Sequence, residues 1–120
     1  MEAILPWGIG LLLGWLVIKK LLPVKGIQHT TVQEVQTRLK DKNVQWIDVR
    51  TPGEFRAHHK KPFKNLPLSD LSKRTTELDR DKEVVLICQS GMRSMNAAKV
   101  LKKQGFEKIT NVKGGMSAWG

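Results

Sequence analysis

The chain has a single cysteine, and the residues around it are the most chemically explicit of its 120. Val84-Val85-Leu86-Ile87 is an unbroken apolar run with three β-branched residues. It reads as a short strand buried on both faces. Cys88 follows, then Gln89-Ser90-Gly91-Met92-Arg93-Ser94, then a segment of helical character. A lone thiol therefore lies between the end of a buried strand and the start of a helix. Backbone N–H groups at that junction, together with the charge of Arg93, lower a thiol pKa and stabilise an anion on the sulfur. Gly91 lets the backbone turn with φ > 0. Cys88 is thus the candidate nucleophile, and Gln89, Ser90, Gly91, Met92, Arg93 and Ser94 form the candidate anion-binding loop. Arg93 can grip an anion in fork geometry or brace the loop. The bland alternative is a cysteine that serves only as a small, unreactive hydrophobe.

Totals narrow the classes open to such a chain. The length fits one domain. One cysteine excludes an intramolecular disulfide and a Cys-rich metal site. His58 and His59 are adjacent, lack the spacing of a paired metal site and lie far from Cys88 in sequence, so neither a metal nor a cofactor is expected. Residues 19–120 hold all 21 basic residues and ten of the 11 acids, a net of +11. Such a domain attracts anions. No arginine-rich block or aromatic-basic interleaving is present, so nucleic acid is not an expected partner.

Residues 3–18 carry no charge, and with Leu21 and Leu22 the segment reaches 20 residues. As a helix it would span about 30 Å, the thickness of a hydrocarbon core. Lys19 and Lys20 can snorkel, and Trp7 and Trp15 suit a membrane interface. Glu2 before the apolar run and the lack of a small-x-small site argue against a cleaved signal. Gly8, Gly10, Gly14 and Pro6 make a poor soluble helix. Residues 1–22 are read as a single-pass anchor in the cell membrane, 23–26 as a linker and 27–120 as the domain. Positive charge on the C-terminal flank alone places that domain in the cytoplasm.

Within the domain, Thr31 and Glu34 have capping-box spacing before a helix of about ten residues with Val32, Val35 and Leu39 on one face. Residues 44–49 read as a central strand. Asp48 near its end is either a structural acceptor, the preferred reading, or a site residue. Thr51 and Glu54 repeat the capping pattern with Pro52 at the first helical position, so a helix over 52–58 is predicted. Residues 65–68 read as extended, and Ser69 as the cap of a weak helix carrying Leu71 and Leu78. Residues 94–104 form a helix with Ala97, Ala98 and Leu101 inward, stopped at Gly105. Residues 109–112 read as a last strand. Alternating strands and helices predict an α/β fold with a mainly parallel sheet.

Three segments of this chain resemble the rhodanese family of single-domain sulfurtransferases. Ile47-Asp48-Val49-Arg50-Thr51-Pro52-Gly53-Glu54-Phe55 is similar to its first signature, and Cys88-Gln89-Ser90-Gly91-Met92-Arg93-Ser94 to its active-site loop. Gly114-Gly115-Met116-Ser117-Ala118-Trp119 is similar to its closing signature. The likeness covers about residues 27–120 and implies a rhodanese-like fold, with Asp48 and Arg50 in supporting roles. It departs from the family after the first signature, where His58-His59-Lys60-Lys61-Pro62-Phe63 stands for the usual G-H-I-P-G-A. His59 aligns with the family histidine, without the glycines that flank it there. Gln89 stands where arginine is often found, and the last helix is expected to be short or absent.

The resemblance implies that Cys88 takes a sulfane sulfur from a donor such as thiosulfate and passes it, as a persulfide, to a thiophilic acceptor. The expected partners are a small anionic donor, a thiol or protein acceptor, and the membrane through residues 3–22. With no second cysteine there is no internal resolving thiol. Two alternatives stay open. One is a membrane-tethered binding or sulfur-carrier module without catalysis. The other is a cysteine-dependent phosphatase or arsenate reductase, whose loops place five residues between cysteine and arginine. Four stand between Cys88 and Arg93, and only Asp48 and Asp70 are loose candidates for a general acid.

Overall fold

The computed structural model describes residues 26–119. The reading of residues 1–22 as an anchor lies outside the described residues. No helix among the described residues is long and apolar enough to cross a membrane.

Five strands form one sheet: β1 (Ile27–Thr30), β2 (Val44–Asp48), β3 (Lys64–Asn65), β4 (Glu83–Ile87) and β5 (Ile109–Val112). Their spatial order is β1-β5-β4-β2-β3, and every pairing is parallel. Parallel neighbours need crossovers, which are supplied by α1 (Val32–Gln36), α2 (Pro52–Ala57), α3 (Leu68–Arg74) and α4 (Met92–Lys103). A short α5 (Gly115–Trp119) follows β5.

The lack of alternation in β4 now has its reason. Val84, Leu86 and Cys88 enter one core with Ala97, Ala98 and Leu101 of α4 and Leu71 of α3. Val85 and Ile87 enter the other, with Val32 and Val35 of α1 and Met116 of α5. A period of two divides the strand between two covered faces. Cys88 is the next step of the series on the α4 side, so its side chain is carried beneath the start of α4. The helices after β4 and β5 go to opposite faces, so the Cys88 loop lies at the carboxyl end of the sheet where the chain changes sides.

Several local expectations change. α1 is five residues, not ten; Thr37 follows it and turns its hydroxyl onto the Glu34 carbonyl at 2.6 Å. Its capping box is half formed, because Thr31 accepts from Glu34 N–H while the Glu34 carboxylate takes the Thr30 hydroxyl at 2.7 Å. Ser69 lies inside α3 and does not cap it; Pro67 occupies that position without a side-chain bond. α4 begins at Met92, two residues before the predicted start, so the loop itself forms its first turn. The box at Thr51 and Glu54 is complete, with Pro52 at the helix start. Gly105 takes φ +95° after α4, and Phe106 N–H returns to the Leu101 carbonyl at 3.1 Å, closing the helix.

Candidate active site

Cys88 is fully buried as a residue and its sulfur faces the amino end of α4. The chain reverses at Gly91, which takes φ +104° as the N-cap of α4. That conformation strongly favours glycine, and it turns the Gly91 N–H onto Cys88 Sγ at 3.0 Å. Ser94, one turn into the helix, brings its hydroxyl to 3.4 Å from the sulfur. Burial pushes the thiol pKa up. The Ser94 hydroxyl and the N–H groups of Ser94, Gly91 and Ser90 together outweigh that and hold it below the ordinary thiol value.

The loop is pinned from below by α5. Met116 N–H donates to the Cys88 carbonyl at 2.8 Å, and Ser117 N–H to the Gln89 carbonyl at 2.9 Å. Gly115 makes that approach possible, since a Cβ there would collide with the Cys88 carbonyl. Gly115 and Ser117 were not among the sequence-level site residues, although Gly114-Gly115 in the closing signature is the signal that marks them.

Asp48 and Arg50 form a buried ion pair at the end of β2. Arg50 donates to both Asp48 carboxylate oxygens, at 2.8 Å for the shortest bond, and its backbone N–H adds another at 3.0 Å. The same guanidinium holds the His58 carbonyl at 2.6 Å and reaches the Gln89 side chain at 3.5 Å. Asn65, missed from sequence, ties down the carbonyls of Asp48 and Arg50 at 3.0 and 2.9 Å. Gln89 also donates to Ser117 Oγ at 3.2 Å, so its side chain joins β2 to α5 across the loop rather than facing the sulfur.

Arg93 is the second residue of α4. Its guanidinium pairs in fork geometry with the Glu54 carboxylate, at 2.6 and 2.9 Å, and so braces α4 against α2. The Arg93 guanidinium, with the Thr51 N–H and hydroxyl, holds the Glu54 carboxyl down to about 2, against burial, which pushes it up. The sulfur lies within electrostatic reach of Arg93, but both close hydrogen bonds of the arginine go to Glu54. In the sequence Glu54 shows itself only as a cap, and its bond to Arg93 emerges from the fold. Ser90 is exposed, and Met92 is 76% exposed at the loop's outer edge. His59 bonds through Nδ1 to the Phe55 carbonyl at 2.8 Å and stacks on the Phe55 ring, which occupies it at the end of α2. Among the described residues no three His, Cys, Asp or Glu side chains converge as a metal site.

Residues 31–120 match the family model described as the rhodanese-like domain. The chain belongs to the rhodanese-like domain family. It is 44% identical to the putative sulfurtransferase YtwF of Bacillus subtilis over 79 residues, which cover 66% of this chain and 76% of that one. It is 31% identical to the thiosulfate sulfurtransferase GlpE of Shewanella oneidensis over 96 residues, 80% of this chain and 95% of the relative. Among solved structures, a rhodanese-like domain protein from Staphylococcus aureus superposes with a TM-score of 0.72 at 29% identity, covering 78% of this chain and 91% of that one. The rhodanese-like fold expected from the three signatures is therefore the fold found.

Proposed function

We propose that this rhodanese-like protein is a sulfurtransferase that works through a persulfide on Cys88, with a small anionic donor such as thiosulfate. The observation that carries the reading is the cradle itself: a buried sulfur with the Gly91 N–H at 3.0 Å and the Ser94 hydroxyl at 3.4 Å, at the start of α4. The thiolate attacks the outer sulfur of thiosulfate. A new S–S bond forms, the S–SO₃ bond breaks, and sulfite leaves with the electron pair. An acceptor thiolate then attacks the terminal sulfur of the persulfide and regenerates the Cys88 thiolate. Negative charge stays near the loop throughout, and N–H groups aimed at it need no reorganisation. In other anion holes, losing one such donor costs about 2.7–4 kcal/mol in the transition state.

The same geometry weighs against phosphatase chemistry. Asp48 is buried and bonded to Arg50, and Arg93 is bonded to Glu54. Asp70, the other general-acid candidate, is exposed on α3 beside Arg74 at 3.9 Å, so both carboxylates and the arginine that phosphatase chemistry would use are paired elsewhere. Residues 3–22 fit a membrane span with the domain on the cytoplasmic side. Deleting residues 1–22 should release a folded domain, and recovery of the full chain without detergent would reject the anchor.

The test of the reaction is loading. Wild type incubated with thiosulfate should gain one sulfur atom on Cys88 by mass spectrometry and then pass it to a thiol acceptor. Cys88→Ser, a near-isosteric change, should fold and transfer at background rate. Transfer by that variant would show that another group is the nucleophile.

A further inference from the structure

The Ser94 hydroxyl stands at a junction with more acceptors than it has protons. It lies 3.4 Å from Cys88 Sγ and 3.0 Å from the Gly91 carbonyl, and it hydrogen-bonds to the Asn111 side-chain amide of β5. Ser94 and Asn111 are both buried, at 0% and 3% exposure. A hydroxyl has one proton to give. With the Asn111 amide oxygen facing it, that proton is drawn toward β5 and away from the sulfur. A neutral thiol is satisfied by this arrangement, since it can donate its own S–H to Ser94 Oγ. A thiolate can only accept: it keeps the Gly91 N–H at 3.0 Å, but it gains nothing from Ser94 while the serine proton points to β5.

An Asn amide can turn over almost without changing shape, exchanging its oxygen and its NH₂ group. In the reversed state Asn111 Nδ2–H donates to Ser94 Oγ, and the serine proton is left to the Gly91 carbonyl and the sulfur, of which the negative sulfur is the charged acceptor. The far side of the amide meets His29 Nδ1 of β1 at 3.4 Å. That ring nitrogen accepts from NH₂ in one tautomer and donates to the oxygen in the other, so the buried amide is paired in both orientations. Hydrogen bonds to a charged acceptor are roughly twice as strong as neutral ones, so the charge on the sulfur has the leverage to reverse the amide.

We propose that Asn111 is a positioning residue for the Cys88 sulfur, its buried amide reversing as the sulfur gains negative charge and so directing the Ser94 hydroxyl proton to it. Ser94 keeps its proton throughout; only the bond it makes changes. The proposal rests on Cys88 as the reactive thiol but not on any donor, and it can fail while sulfur transfer stands.

Two measurements on the full chain test it, neither involving sulfur loading. In wild type, the Asn111 side-chain amide protons should show nuclear Overhauser contacts to the His29 ring below the Cys88 titration midpoint and to the Ser94 Hβ protons above it. Contacts to His29 alone on both sides of the midpoint would overturn the proposal. The second measurement is iodoacetamide alkylation against pH for wild type, Asn111→Asp, Ser94→Ala and the double variant. A carboxylate at 111 can only accept, so the midpoint should rise by about one unit, a tenfold loss of thiolate at fixed pH. Most of that rise should vanish in the Ser94→Ala background. A rise of equal size with and without Ser94 would mean that the new charge acts directly through space, and the relay would be rejected. Arg93, held by Glu54, Arg50, held by Asp48, and His29, which faces the Asn111 amide from β1, are the charged or titratable neighbours and are common to all four proteins.

Discussion

Arg50 and Arg93 each grip a carboxylate beside the thiol loop, one just after β2 and one just after β4, yet the two pairs are built differently. Arg50 and Asp48 have side chains 4% and 0% exposed, and the arginine makes further bonds to the His58 carbonyl and Gln89. Arg93 and Glu54 are 36% and 33% exposed, and the guanidinium serves Glu54 alone among its close hydrogen bonds. A buried pair is held by the cost of leaving either charge alone in a dry interior. A pair at the surface competes with water and salt, and its net contribution is small. The first pair is therefore a fixed frame for the loop's outer wall. The second is a clasp between α2 and α4 that can open at low cost.

The largest difference should appear when each arginine is truncated. Arg50→Ala leaves the Asp48 carboxylate in the core with one backbone donor, the N–H of residue 50, and should destabilise the fold by about 3–5 kcal/mol. Arg93→Ala should cost about 0.2–1 kcal/mol. Urea unfolding at neutral pH measures both. Equal losses would break the distinction between frame and clasp.

Much of the frame was legible in the chain because its signals are local. The capping box at Thr51 and Glu54 lies within four residues, and the left-handed turn at Gly91 follows from the one residue type that adopts it without strain. The unbroken apolar run of β4 announced a strand covered on both faces. Asp48 stood out because it is a carboxylate at the end of such a strand. What was not legible depends on partners distant in sequence. Glu54 serves its own helix as a cap, and nothing local says that it also receives Arg93, 39 residues on. Asn111 reads as one polar residue in a short strand until β5 is placed beside β4, where it meets Ser94. The length of α1 failed for a smaller reason: a threonine hydroxyl competing for a helix carbonyl is invisible to hydrophobic periodicity.

A second contrast concerns the thiol itself. The groups that lower its pKa are the Ser94 hydroxyl and loop N–H groups, while the fork of Arg93 points to Glu54. Ser94→Ala should therefore raise the thiol midpoint by about one to two units, the value of a hydrogen bond to a charged group. Arg93→Ala should raise it by less than half of that. Alkylation rate against pH reads both variants. An arginine effect as large as the serine effect would restore Arg93 to a direct role at the sulfur.

The smallest expected effect concerns the clasp. Glu54→Gln keeps a side-chain oxygen for the Thr51 N–H, since glutamine also serves at the third position of a capping box, and removes the charge and the second acceptor oxygen that Arg93 pairs with. The folded-state pKa of Glu54 is depressed to about 2 from its ordinary 4.5, so its contribution is complete above about 4.5 and is lost as the pH falls toward 2. Wild type should therefore exceed Glu54→Gln in stability by no more than about 1 kcal/mol at pH 7. That margin should close between about pH 5 and pH 2 as the wild-type carboxyl takes up its proton. Added salt should shrink it at neutral pH, because both partners are a third exposed. Thermal unfolding of the two proteins in parallel across that range gives the margin directly. A difference that stays constant down to pH 2 would mean that Glu54 acts through its cap alone and that the bond to Arg93 contributes nothing to the fold.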